Sequence, residues 1–172
     1  MPATHAETVD LTPYSPLWPA VFELERELLA ALFAGEEASI EHIGSTAVPG
    51  LGAKPIIDVM LGVASLAAVE RRLDALAAEG YRYVKEFELA IPERRFFDKR
   101  EGNPGRFHLH AVVKDGEFWR RHLAFRDALR ADPALAERYW RVKQRMAARH
   151  PNDRGAYTEG KTDFIRGVLQ GR

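Results

Sequence analysis

The stretch EHIGSTAVPGLGAKPIIDVML, residues 41–61, decides the reading of this chain. An apolar run ends at Gly44-Ser45-Thr46, a loop with glycine and proline follows, and a second apolar run carries one acid, Asp58. A strand, a small-residue turn and a carboxylate on the next strand can hold phosphates beside a metal. The glycine admits close backbone approach, the hydroxyls add hydrogen bonds, and the carboxylate faces the cation.

Outward from there, residues 38–43 and 55–63 are apolar and β-rich and are expected to be strands. Residues 1–14 are expected to be a tail or a short edge strand. Ser15 is positioned to cap a helix from Pro16 to about Ala34, with Val21, Leu24, Leu28 and Leu32 inward and Gly35 ending it. Ser65 opens a helix with Leu66, Val69, Leu73 and Leu76 on one face, closed by Gly80. Tyr81 to Val84 begins a third strand. Residues 94–100 and 106–113 form a hairpin around Gly102-Asn103-Pro104-Gly105. Asp115 leads a helix to about Arg130, and Asp132-Pro133 starts another whose stripe is Leu135, Tyr139, Val142 and Met146. Pro151 to Gly155 is a loop, and a last helix runs from about Tyr157 to Leu169. The order predicts an α+β fold: a small mixed β-sheet flanked by helices, with a helical C-terminal part.

At 172 residues, 46% apolar and formally uncharged overall, the chain is expected to be one domain, residues 1–172. A domain of that size buries about 70% of its unfolded surface. Zero net charge excludes a global basic field for nucleic acid or anionic lipid and leaves no strong nucleic-acid signal. With no cysteine there is no disulfide, thiolate nucleophile or cysteine zinc site, which fits a cytoplasmic location. MPATHAETVDLTPY lacks the basic flank and apolar run of a signal peptide, and no apolar run approaches the roughly 20 residues of a membrane span, so no membrane partner is expected. Oligomeric state leaves no trace in the sequence.

Asp58 stands among apolar residues, on the Ile56, Asp58, Met60 side of its strand. A bare buried carboxylate costs on the order of several kcal/mol unless a cation or hydrogen bonds meet it. The functional reading is a metal ligand; the bland one is a structural acid paired with Lys54. His108 and His110 share a strand face opposite Phe107, Leu109 and Ala111, and are either metal ligands, one ligand and one acid or base, or surface histidines. They converge with Asp58 only if the hairpin packs beside its strand. Lys161 shares a stripe with Tyr157, Phe164 and Val168, Arg126 one with Trp119 and Leu123, and Lys143 one with Trp140. Each can lay its aliphatic stem on the core with its head in water, or the three can converge on an anionic ligand.

These motifs, with FF-D-K at 96–99, H-L-H at 108–110, FRDALR at 125–130 and YTEGKTDFI at 157–165, together resemble the GrpB family (UPF0157) from about Tyr14 to Leu169. The resemblance implies the nucleotidyltransferase fold of the DNA polymerase β superfamily. Some members of the family are fused to dephospho-CoA kinase, which implies a link to nucleotide or coenzyme A metabolism. Carried over by position, Gly44 and Ser45 match the phosphate-binding turn and Asp58 the first metal-binding carboxylate. The second carboxylate is expected two residues on, where Met60 stands instead, and Met60 cannot bind a hard ion. His108 or His110 takes the third acidic position, and Glu41 is a further carboxylate of unknown facing.

The expected function is therefore metal-dependent nucleotidyl transfer from a nucleoside triphosphate to an unidentified acceptor, with Mg2+ or Mn2+ as cofactor. Asp58 and His110 are the expected catalytic residues, and Asp58, His108 and His110 the expected metal ligands. Gly44, Ser45, Thr46, Lys54, Arg126, Lys143 and Lys161 are expected to bind phosphate. The alternative is a module that binds a nucleotide or phosphorylated small molecule without turnover, and the third reading is a single-metal phosphohydrolase.

Overall fold

Five strands, two of them long and apolar-rich, form one mixed sheet in a computed structural model that describes residues 8–100 and 106–171. In chain order the elements are α1 (Trp18–Leu32), β1 (Ala38–Ile43), a 3-10 turn (Ser45–Ala47), β2 (Ile56–Val63), α2 (Leu66–Glu70), α3 (Leu73–Ala78) and β3 (Arg82–Tyr83). A second 3-10 turn (Lys85–Leu89), β4 (Arg94–Lys99), β5 (Arg106–Val113), α4 (Glu117–Ala131), α5 (Pro133–Arg149), α6 (Arg154–Glu159) and α7 (Thr162–Leu169) follow. The sheet order is β1-β2-β5-β4-β3. Only β2 and β5 run parallel, and the chain between them supplies the long crossover that parallel neighbours need. β4 and β5 pair as the expected hairpin; its turn at 102–105 lies outside the described residues, as do residues 1–7.

One sheet face is mainly apolar, with His42 and Lys99 among its few polar members. Ile57, Val59, Leu61, Phe97, Phe107 and Leu109 pack there against Trp18, Phe22, Leu29 and Phe33 on the α1 side, and against Val69 and Leu76 of α2 and α3. The other face carries Asp58, His108 and Asp98. Its far end is roofed by α4, whose Trp119 packs on Ile43, Met60 and Val112. α5 packs Tyr139 with Val48, Leu51 and Leu129, with Phe164 of α7 against the same cluster. The helical half thus stands as a wall beside an open part of the sheet. No helix among the described residues is long and apolar enough to cross a membrane.

Several helices differ from the sequence expectation, each for a local reason. The buried line of α1 is Trp18, Phe22, Glu25 and Leu29, and Leu24 is 59% exposed. Period reasoning rejects an inward glutamate, but Tyr81 donates to Glu25 at 2.8 Å and Lys99 pairs with it at 2.9 Å. Ser15 bonds the Leu17 N–H at 3.3 Å, and the helix itself starts at Trp18. The helix expected over 66–79 is broken at Arg71-Arg72. The Arg72 side chain takes the Ala68 carbonyl that its own N–H would otherwise use, and that N–H turns to Val69. The last helix breaks likewise at Gly160-Lys161 and begins earlier, capped by Asp153. In α5, capped by Asp132 as expected, the buried residues are Ala136, Tyr139 and Lys143. A lysine replaces the expected Val142 on the inward stripe because it reaches into a cleft rather than a core.

Candidate functional site

The turn after β1 is shaped by Gly44, whose φ of 72° lies in the left-handed region that side chains disfavour. Its α-carbon rests against Asp58: a β-carbon there would sit 2.6 Å from Asp58 Oδ2. The Ser45–Ala47 turn follows. Thr46 is buried, its hydroxyl 2.9 Å from His42 Nε2 and donating to the Ile56 carbonyl at 3.5 Å. His42 stacks on Phe22, and burial lowers its pKa to about 4. Thr46 therefore anchors the turn and spends on the protein the hydroxyl expected for phosphate. Ser45 remains half-buried in the cleft wall.

Strand register brings Asp58 and both histidines together. Asp58, His108, Asp98 and Arg82 are successive Cα partners across four strands, and Met60, His110 and Phe96 form the next row. His110 Nε2 lies 3.2 Å from Asp58 Oδ1, and His108 Nδ1 lies 3.4 Å from the same oxygen. Arg94 Nη1 is 3.4 Å from His110 Nδ1. A guanidinium can only donate, so Nδ1 accepts and the His110 proton sits on Nε2, facing Asp58. Burial raises the Asp58 pKa, but the hydrogen bonds from the two histidines outweigh it and hold the carboxyl below the ordinary range. Burial likewise pushes His110 down, against the pull of Asp58.

A cleft of about 980 Å³ opens over this row. Its helical side carries Lys143 and Lys161, with Lys54 from the segment before β2. Lys143 is 2% exposed; its Nζ donates to the Gly52 carbonyl and lies 5.2 Å from the Tyr139 ring centre. Burial, then Lys161 and Lys54, press its pKa down to about 7. Lys161 sits 4.1 Å over the Tyr157 ring, and burial, then Lys54, lowers it to about 8. Lys54 lies 5.4 Å over the same ring. Among the described residues no carboxylate forms an ion pair with Lys143 or Lys161. Three amine side chains that repel one another in a wall of tyrosines have the chemistry to take a multiply charged anion.

Arg126 does not reach this cleft. It pairs with Glu41 at 2.7 Å and Asp127 at 2.8 Å, and donates to the His42 carbonyl at 3.0 Å, so it ties α4 to β1. That also settles the facing of Glu41, which the sequence left open. His110 lies behind the cleft surface, against Phe96 and Phe118. The residues that sequence reasoning passed over are Arg94, Asp98, Tyr139 and Tyr157, all lining the cleft. Period two in RRFFDK puts Arg94, Phe96 and Asp98 on one face, a signal that was present but uninterpretable without the neighbouring strands.

The expected metal ligands meet, but they do not fit a resident ion. Each imidazole turns one nitrogen to the same oxygen of Asp58, Met60 is fully buried under Trp119, and Asp98 is taken by Arg82 and Arg100. No group of three histidine, aspartate or glutamate side chains among the described residues is arranged to hold a metal.

A family model described as GrpB protein matches residues 8–171. The chain belongs to the GrpB family. The crystal structure of conserved protein GrpB from Enterococcus faecalis superposes with a TM-score of 0.82 at 35% identity, covering 94% of this chain and 96% of that one. UPF0157 protein YqkA of Bacillus subtilis is 38% identical, over 92% of this chain and 45% of its own length. A dephospho-CoA kinase of Mycolicibacterium paratuberculosis is 31% identical, over 92% of this chain and 44% of its own length. This chain thus spans less than half of each of those two relatives. A Cid1 poly(U) polymerase with Mg 3'-dATP bound matches with a TM-score of 0.52 at 13% identity, over 86% of this chain and 49% of that one. That likeness shows the fold alone: this chain has the nucleotidyltransferase fold.

Proposed function

We propose that this GrpB protein binds a nucleoside polyphosphate, with the phosphates on Lys54, Lys143 and Lys161 beside the Ser45 turn. The observation that carries the reading is the pair Lys143 and Lys161, amine groups set in the cleft wall with no carboxylate among the described residues paired to either. A buried cation without a counter-ion is costly, and a phosphate chain would relieve both at once. The tyrosine rings beneath them keep water out and strengthen the attraction.

Nucleotidyl transfer is the second reading, favoured by the position of Asp58 beside the Gly44 turn and by its contact with His108. An acceptor hydroxyl would attack the α-phosphorus, forming a new P–O ester bond and breaking the bond to the bridging oxygen. The electron pair would leave with pyrophosphate, held by the lysines. The acceptor proton would pass to His108 Nε2, the ring nitrogen turned from Asp58, and the Asp58 carboxylate would steady the imidazolium. Magnesium or manganese is proposed from the family fold alone, entering with the phosphate chain rather than as a resident ion. The likeness to part of a dephospho-CoA kinase supports screening coenzyme A precursors as ligands.

Calorimetry with tripolyphosphate and with each nucleoside triphosphate, with and without Mg2+ or Mn2+, tests the first reading. Binding weakened tenfold or more by Lys161→Met is expected, and equal affinity in that variant would overturn it. Asp58→Asn separates the two readings. It removes a negative charge near the lysines, so binding should hold or tighten, while any pyrophosphate release should fall at least about a hundredfold. Release that survives Asp58→Asn would sink the transfer mechanism.

A further inference from the structure

The cleft extends away from the lysines to a second cationic position with different chemistry. Arg94 projects from β4 on the same sheet face as Phe96 and Asp98. Its guanidinium carbon lies 5.0 Å from the Phe96 ring centre, 5.7 Å from Phe118 and 5.9 Å from Phe87. Among the described residues its buried Nε has no hydrogen-bond partner, and its Nη1 has only the 3.4 Å contact to His110. No carboxylate among the described residues forms an ion pair with it. Burial lowers its pKa, against the raising influence of Glu93 and Asp58. An arginine enclosed by aromatic rings, short of acceptors and bordering a cleft is unsatisfied in the free protein.

The surroundings define what would satisfy it. Phe87 is 46% exposed and, with Val84, Ile91 and Phe96, gives this end of the cleft an apolar wall. Asp98, the acid in the same stretch, is neutralised by Arg82 at 2.7 Å and Arg100 at 2.8 Å, so it does not repel an anion. The lysine end, by contrast, is walled by tyrosines and carries flexible point charges suited to a phosphate chain. Arg94 also touches His110, which in turn donates to Asp58, so the two ends meet at the acid.

We propose that the Arg94 end of the cleft is a subsite for a second ligand, one presenting an oxyanion, carboxylate or phosphate, on an aromatic or apolar body. The planar guanidinium takes the oxyanion with paired hydrogen bonds, and Phe87, Phe96 and Ile91 take the body. The proposal rests on the phosphate reading of the lysine end, since it makes this ligand the acceptor that would share the cleft with the polyphosphate.

Titration of the full chain, saturated with tripolyphosphate, by phenyl phosphate, benzoate and benzyl alcohol tests it. Phenyl phosphate or benzoate should bind without displacing tripolyphosphate, and the tighter of the two identifies the oxyanion. Benzyl alcohol should bind at least tenfold more weakly. Arg94→Met should weaken the aromatic anion tenfold or more and change tripolyphosphate affinity less than twofold, and Lys161→Met should do the reverse. Arg94→Lys, which keeps the charge and loses the fork, should recover only part of the affinity, and it serves if Arg94→Met does not fold. Competition between the aromatic anion and tripolyphosphate, equal binding of benzyl alcohol, or an unchanged Arg94→Met titration would each overturn the subsite. Aromatic-anion binding through Arg94 in a protein that ignores tripolyphosphate would sink the phosphate reading and leave the subsite standing.

Discussion

Gly44 and Asp58 are packed so closely that no side chain fits between them: a β-carbon on residue 44 would lie 2.6 Å from Asp58 Oδ2 and 3.1 Å from Asp58 Cβ. The contact places the phosphate-type turn and the acid of β2 at van der Waals distance, and it forms at a φ that side chains disfavour.

Gly44→Ala should therefore act twice. The backbone strain costs about 1–3 kcal/mol, and relief of the clash must move Asp58 away from His108 and His110. A lower melting temperature together with loss of tripolyphosphate binding is expected in scanning calorimetry and titration. A variant with normal melting and normal affinity would show that the turn has no part in the site.

Lys143→Met should stabilise the ligand-free protein at low pH. The folded-state pKa of about 7 lies below the ordinary 10.5, so the folded form holds fewer protons than the unfolded form between those values. Stability of the parent protein thus rises with pH through that window, and the cost of the buried charge is fully present below pH 7. The variant gives up the hydrogen bond to Gly52, worth about 1 kcal/mol, but escapes that cost. Its melting temperature should exceed the parent's at pH 6 by about 3 °C or more, with the gain shrinking above pH 7. A constant difference from pH 6 to pH 10 would mean that Lys143 does not titrate as its burial implies.

Phosphate binding should take up protons. Lys143 and Lys161, at about 7 and about 8, are partly neutral at pH 8. The anion favours their charged forms, against the mutual repulsion of Lys143, Lys161 and Lys54 and the influence of Arg154 on Lys161. The calorimetric heat at pH 8 should differ between buffers of low and high ionisation enthalpy in the sense of net proton uptake, and affinity should fall as pH rises beyond 8. Identical heats in both buffers would place the ligand elsewhere.

Arg126→Met separates structure from site. The substitution frees Glu41, Asp127 and the buried His42 carbonyl, a loss of about 1–3 kcal/mol by hydrogen-bond arithmetic. Ligand affinity should stay within twofold of the parent. A selective loss of affinity without loss of stability would return Arg126 to the cleft.

The motifs of the sequence already carried the resemblance to the family and, through it, the nucleotidyltransferase fold, while local chemistry singled out Gly44 and Asp58. Gly44 reads as a special turn whatever surrounds it, and Asp58 is conspicuous inside PIIDVML wherever the strand packs. The HxH face also followed from period two alone, and β5 presents it as expected. What tertiary structure decided was partnership. Lys143, Lys161 and Arg126 look alike on their helices, yet two line the cleft and the third is ion-paired, since Glu41 happens to face α4. Glu25 enters the core because Tyr81 and Lys99 arrive from distant segments to neutralise it. Arg94 and Asp98 gain meaning only through the β4–β5 and β3–β4 registers, which set one beside His110 and the other beside Arg82. Local patterning constrains which face a side chain takes, while the energy of a charge depends on what stands opposite it, and that is fixed by contacts between residues far apart in the chain.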